Sequence, residues 1–290
     1  MNLEQMLEHI RSSEGMMRNI TAWVELPARE AVYEDFPGFL DERIIRALEK
    51  RGVRKLYSHQ ASAIRAVHEG RSVVVVTPTA SGKTMCYNIP VMDAILKDES
   101  SRALFIFPTK ALSQDQTAEL HELITEAGVD VKTYTYDGDT PQTARKAIRQ
   151  AGHIVVTNPD MLHSGILPHH TKWTKLFENL KFVVIDEVHH YRGVFGSHLA
   201  NVMRRLRRIC DFYGSKPQFI CCSATIANPV ELASKIVGEE VMLIDNNGAP
   251  SAAKHIIFYN PPVVNKELGI RKSSLLEARR IAETFIRNGI

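Results

Sequence analysis

The chain is 290 residues long, 44% hydrophobic and 24% charged, with a formal net charge of +3. That is enough apolar material for one large core or two small ones, and no repeat or low-complexity segment interrupts it. No apolar stretch reaches the ~20 residues needed to span a bilayer. Met1-Asn2-Leu3-Glu4-Gln5 lacks a signal-peptide core, and Cys86, Cys210, Cys221 and Cys222 offer no Cys-x-x-Cys pair for zinc. A cytoplasmic, nucleoid-associated protein with buried free thiols is expected.

Taken in chain order, Leu3, Met6, Leu7, Ile10 and Met17 predict a helix over 3–20. Pro27, Pro37 and Gly38 make 22–39 an extended strap. Asp41 caps a helix that runs to Lys50 and stops at Gly52. Apolar, β-branched strands are then expected at 72–77, 103–107, 131–136, 153–157, 181–185, 218–223, 241–244 and 255–259. Helices are expected at 57–69, 83–97, 111–127, 140–151, 196–213 and 229–236. This alternation predicts an α/β fold, a mostly parallel sheet with helices on both faces. Asn260-Pro261-Pro262 reads as a linker, and 273–288 as an amphipathic helix. The expected organisation is a helical and extended accessory segment at 1–52, a nucleotide-binding domain at 53–260, and a linker with the first helix of a further domain at 261–290.

Two segments carry the chemistry. Thr77-Pro78-Thr79-Ala80-Ser81-Gly82-Lys83-Thr84 follows the run Val73 to Val76. A tight loop whose backbone N–H groups face an anion, ending at a helix N-terminus, cradles phosphates. Thr79 to Gly82 would supply the cradle and Lys83 would reach the β- and γ-phosphates. The Thr84 hydroxyl would ligate Mg²⁺. Asp186 and Glu187 close a second apolar strand, where open α/β sheets bind ligands. Asp186 would hold Mg²⁺, and Glu187 would orient and deprotonate water. ATP and Mg²⁺ are therefore the expected cofactors. His189 either couples this site to Ser223-Ala224-Thr225, through Ser223 or Thr225, or is a structural histidine. Gln60 either reads adenine, with Tyr57 stacked on the base, or belongs to an ordinary helix start capped by Ser58. The arginines at 204, 205, 207 and 208 alternate with Val202, Met203, Leu206 and Ile209, as a solvated helix face does.

In this order the segments resemble the motifs of the superfamily 2 helicases. Gln60 resembles the Q motif, Thr77–Thr84 motif I, Asp186-Glu187-Val188-His189 motif II in its Asp-Glu-x-His form, and Ser223-Ala224-Thr225 motif III. Phe107-Pro108-Thr109-Lys110-Ala111-Leu112, Tyr136-Asp137-Gly138-Asp139 and Thr157-Asn158-Pro159-Asp160-Met161-Leu162 resemble the nucleic-acid motifs of a first RecA-like domain. That resemblance implies strand contacts from Thr109, Lys110, Gly138, Asp139, Asn158 and Pro159, made to phosphate rather than to bases. Pro27-Ala28-Arg29-Glu30-Ala31 and His190-Tyr191-Arg192-Gly193-Val194-Phe195-Gly196-Ser197-His198 are similar to the MrfA (YprA-like) bacterial DNA repair helicases.

The resemblance implies an ATP-dependent 3′-to-5′ DNA helicase acting on single-stranded DNA or a duplex with a single-stranded tail. It implies a second RecA-like domain as partner, a monomer, and no membrane. No Gln-x-x-Gly-Arg-x-x-Arg segment follows Thr225, so the arginine finger is expected from that second domain. An RNA helicase or remodeller, or a nucleotide-switched interaction module, would share the same motifs. Arg192 and Phe195 either touch nucleic acid or pack against the second domain.

Overall fold

The computed structural model describes residues 2–289; residues 1 and 290, the outer limits of the expected first and last segments, lie outside them. The first elements are α1 (Leu3–Ser12), α2 (Glu14–Met17), β1 (Ile20–Leu26), β2 (Tyr33–Glu34), α3 (Glu42–Lys50), β3 (Leu56–Tyr57), α4 (Ser58–His68) and β4 (Val73–Val76). There follow α5 (Met85–Lys97), β5 (Arg102–Ile106), α6 (Lys110–Ala127), β6 (Thr133–Thr135), α7 (Gln142–Ala151), β7 (Ile154–Thr157), α8 (Pro159–Met161), α9 (Thr174–Glu178) and β8 (Leu180–Ile185). The last are α10 (Gly193–Tyr213), β9 (Gln218–Ser223), α11 (Pro229–Val237), β10 (Met242–Ile244), β11 (Lys254–Tyr259), β12 (Val263–Asn265), β13 (Ile270–Arg271) and α12 (Ser274–Arg287). A π-helical turn, Leu162–Ile166, continues α8.

The chain forms two compact units, one of Ala31–Ala249 and one of the residues up to Glu30 together with those from Pro250. The larger unit is built on a seven-stranded sheet in the order β10-β4-β9-β8-β5-β7-β6, with every neighbouring pair parallel. Val73 to Val76 are all buried, as a central strand covered on both faces requires. Alternation divides them between two cores. Val73 and Val75 pack with Ile64, Ile89 and Phe105, while Val74 and Val76 pack with Leu104, Phe177 and Phe219. Thr109 caps α6 by accepting from Leu112 N–H, and Gly128 ends it in the left-handed conformation.

Two expectations are corrected here. The helix Glu42–Lys50 belongs to the sheet unit rather than to an accessory segment at 1–52. Ile44, Ala47 and Leu48 are fully buried in its core, and Arg51 bridges to Glu122 and Glu126 of α6 at 2.8 and 2.9 Å. The strand expected at 255–259 forms, but not in the large sheet: β11 pairs antiparallel with β1, inside the smaller unit. The strap at 22–39 is thus partly strand. In α12 of the smaller unit, Glu277 is buried and holds Tyr259 and Arg280, while Leu275, Leu276 and Ile286 are exposed.

One glycine fixes how the larger unit closes. Gly248 O accepts from Val32 N–H and Gly248 N–H donates to His59 Nδ1. A Cβ there would lie 2.5 Å from Ser58 Oγ and 2.6 Å from Val32 O. Gly248→Ala is expected to cost about 1–3 kcal/mol from overpacking, read as a lower midpoint in denaturant unfolding with an unchanged slope.

Candidate nucleotide site

The parallel register sets the site. Val76 lies beside Ser223, and Ile185 lies beside Cys221. The carboxyl ends of β4, β9 and β8 therefore stand in a row, carrying the Gly-Lys-Thr loop, Ser223 and Asp186-Glu187.

The loop after β4 is held open by its own groups. Gly82 and Ala80 both have positive φ, +77° and +61°. Ser81 is turned inward and shares a 2.6 Å hydrogen bond with Thr77 Oγ1. Thr79 is exposed at the tip. Lys83 Nζ donates to Thr77 O and Pro78 O, each at 2.9 Å, and so spans the concave side of the loop. Thr84 Oγ1 donates to Gln116 Oε1 at 2.8 Å, and the Tyr87 hydroxyl lies 3.0 Å from the same oxygen and 3.2 Å from Asp186 Oδ2. This chain of oxygens joins the two motifs across a helix turn. Gln116 and Tyr87 carry no motif signal: one sits mid-helix in α6, and the other looks like ordinary core.

Asp186 is 8% exposed. Burial pushes its carboxyl up to about 6, opposed by the hydrogen bonds it accepts from Glu187 N–H (2.8 Å) and Tyr87. Glu187 is held left-handed, at φ +51°. Its Oε2 is buried and without a hydrogen-bond donor among the described residues. His189 Nδ1 is 3.1 Å from it but accepts from Ala224 N–H at 3.3 Å, and burial holds the imidazole below its usual range, toward the neutral form. The contact between His189 and the Ser223-Ala224-Thr225 segment therefore runs through the backbone of Ala224. The expected hydroxyl partners are not used: Ser223 Oγ donates to Ala224 O, and Thr225 is exposed.

Gln60 has two partners. Its Oε1 accepts from Tyr57 N–H and its Nε2 donates to Gly82 O, both at 2.9 Å, and the side chain is buried. It ties the start of α4 to the phosphate loop and also lines the cavity beside that loop. Ser58 is not a cap; its hydroxyl donates to Asn246 O. Tyr57 stacks with Tyr33 and with His59, at centroid separations of 5.3 and 5.9 Å. Tyr33, Arg54, Lys55, Tyr57, Gly82 and Met85 line a cavity of about 530 Å³ beside the loop. Tyr33, Arg54 and Lys55 were not legible as site residues, because nothing local in the sequence ties them to the loop.

The residues fit Mg²⁺ and a nucleoside triphosphate. Hard oxygen donors at Thr84 and Asp186 suit that cation, the glycine cradle suits phosphate, and the orphaned Glu187 oxygen suits a water.

The six expected strand-contact residues lie on loops and helix starts. Lys110 is ion-paired with Asp139, which joins two of the motifs, and both are exposed. Gly138 is exposed and uncrowded. Asn158 accepts from Met161 N–H to cap the turn that opens with Pro159.

Three comparisons bear on this geometry. The DEAD/DEAH box helicase family model matches residues 57–233. The uncharacterized ATP-dependent helicase YprA of Bacillus subtilis (strain 168) is 57% identical over 289 residues, covering all of this chain and 38% of YprA. The ATP-dependent helicase HRQ1 of Saccharomyces cerevisiae (strain ATCC 204508 / S288c) is 39% identical, over 99% of this chain and 27% of HRQ1. The crystal structure of DUF1998 helicase MrfA bound to DNA and AMPPNP matches with a TM-score of 0.94 and 57% identity, over 99% of this chain and 40% of that one. The chain thus spans less than half the length of the relatives it matches.

Replacing Asp186 by Asn tests the burial. Asp186 holds its proton more tightly folded than unfolded, so its contribution to stability is present below the unfolded value of 3.8 and is lost as pH rises through about 6. Without nucleotide, Asp186→Asn should match the wild type near pH 4 and exceed it at pH 7.5 by up to about 3 kcal/mol, measured by denaturant unfolding at both pH values.

Proposed function

Because this chain belongs to the DEAD/DEAH box helicases, we propose that it is the first RecA-like, ATP-binding domain of a DNA helicase that couples ATP hydrolysis to movement along a single strand. The observation that carries this reading is the half-buried oxygen chain from Thr84 through Gln116 and Tyr87 to Asp186, which locks the phosphate loop to the carboxylate strand end.

In this reading Lys83 exchanges Thr77 O and Pro78 O for phosphate oxygens as ATP enters. Thr79 to Gly82 offer backbone N–H groups to the phosphates, and Tyr33 and Tyr57 flank the base cavity. Thr84 and Asp186 hold Mg²⁺, which when bound screens the phosphate charge. Glu187 holds the attacking water at its unpartnered oxygen and takes its proton. His189 lies beside Glu187 and, through Ala224 N–H, connects that strand end to the loop after β9. Thr109, Lys110, Gly138, Asp139, Asn158 and Pro159 form the strand face.

DNA rather than RNA is favoured because the 57%-identical MrfA is a helicase bound to DNA. The 3′-to-5′ direction and the repair role rest on the resemblance to that family. An arginine from a second RecA-like domain would complete the transition-state site, so this chain alone should turn over ATP about 10³–10⁵-fold more slowly than a protein supplying it.

In a longer protein containing this domain, Lys83→Ala should abolish binding of a fluorescent ATP analogue. Glu187→Gln should bind it with wild-type affinity and release less than about 1% of the wild-type phosphate in a DNA-stimulated assay. Near-normal turnover by Glu187→Gln would remove the water-activating role.

A further inference from the structure

The arginines of α10 do not simply cover a solvated face. Val202 and Leu206 bury one side of the helix, and Arg204, Arg205 and Arg208 turn to a cleft of about 450 Å³. Its opposite wall is made by Pro159, Asp160 and His163, and Arg205 reaches across to the carbonyl of His163 at 3.5 Å. Arg204 donates to the Asn201 amide, and none of the three has a carboxylate partner among the described residues. By contrast Arg207, on the same helix, is paired with Glu239. Asp160 is the one acidic residue that lines the cleft. Phe195, 40% exposed, sits at its rim with His198. Pro159 lines the cleft too, so the groove is continuous with the turn capped by Asn158.

We infer that this cleft is a second nucleic-acid site, outside the seven motifs, in which Arg204, Arg205 and Arg208 bind backbone phosphates of a strand leaving the Asn158–Pro159 turn and Phe195 stacks on a base. Unpaired guanidiniums on one helix face bind phosphodiesters by charge and forked hydrogen bonds. An exposed aromatic ring at the rim supplies the sequence-tolerant platform that single strands use. The inference rests on the strand face proposed above and extends it by a few nucleotides. The shared chemistry is the phosphodiester, so DNA and RNA are distinguished by experiment.

The test is fluorescence anisotropy of the whole 290-residue chain with labelled dT20, U20 and dT6 across a salt series. Each neutralised phosphate contributes about 0.7 to the slope of log affinity against log salt for single strands. Arg204→Gln/Arg205→Gln/Arg208→Gln should therefore lower the dT20 slope by about 2 and leave dT6 binding unchanged. Arg204→Gln/Arg208→Gln, which keeps the Arg205 bridge, should lower it by about 1.4, and thermal melts should show both variants folded. Lys110→Ala should weaken both DNA lengths. Unchanged dT20 affinity and slope in folded arginine variants would overturn the cleft while leaving the motif face standing. Loss of dT20 slope without any Lys110 effect would keep the cleft and remove the motif face. No binding of dT20 by the wild type would remove both. U20 bound more tightly than dT20, with the same arginine dependence, would assign the cleft to RNA. A polyglutamate peptide bound as tightly, with the same dependence, would show a generic acidic-partner surface and overturn the proposal.

Discussion

A carboxylate buried at the end of a parallel strand is costly to ionise unless donors or a cation face it. Asp186 has two donors, the backbone of Glu187 and the Tyr87 hydroxyl. Tyr87 is itself fixed by α5, the helix that begins at the phosphate loop, and touches Gln116 of α6. Through that one hydroxyl the position of the carboxylate, the helix after the loop and the Thr84 side chain are decided together. The other parts of the site hang on this arrangement. Gln60 grips the loop from one side, Lys83 spans it, and Glu187 is left with an oxygen that has no donor among the described residues.

On the loops that carry Lys110 and Asp139 the structure is self-satisfied in a different way. Lys110 and Asp139 are an exposed ion pair, and such pairs contribute little because water screens them. Breaking it therefore costs little.

Much of this was legible in the residues. Near-continuous valine and isoleucine runs mark strands covered on both faces, and Gly82-Lys83-Thr84 and Asp186-Glu187 mark the carboxyl ends of two of them. What the residues do not carry is partnership over distance. Val73 to Val76 announce a buried strand, but His255 to Tyr259 read much the same and join β1 instead, because a short apolar run does not name its neighbour. The stripe Ile44, Ala47 and Leu48 declares an amphipathic helix without saying which core receives it. Gln60 has the composition of a base reader, but its hydrogen bond to Gly82 O is fixed only when the loop folds back. Gln116 has no local signal at all.

The pairing of β1 with β11 also orders events in time. Trp23 Nε1 donates to His255 Nδ1 across 232 positions of sequence, and the whole seven-stranded unit is threaded between them. A ribosome adding about 5–20 residues per second needs tens of seconds to deliver the partner. Through that interval the first strand is an open edge, and the inserted unit can complete its own parallel sheet. The earlier of the two strands thus pairs only after the later one is made, and a chaperone acting on the nascent chain would find its hydrogen-bonding groups still free.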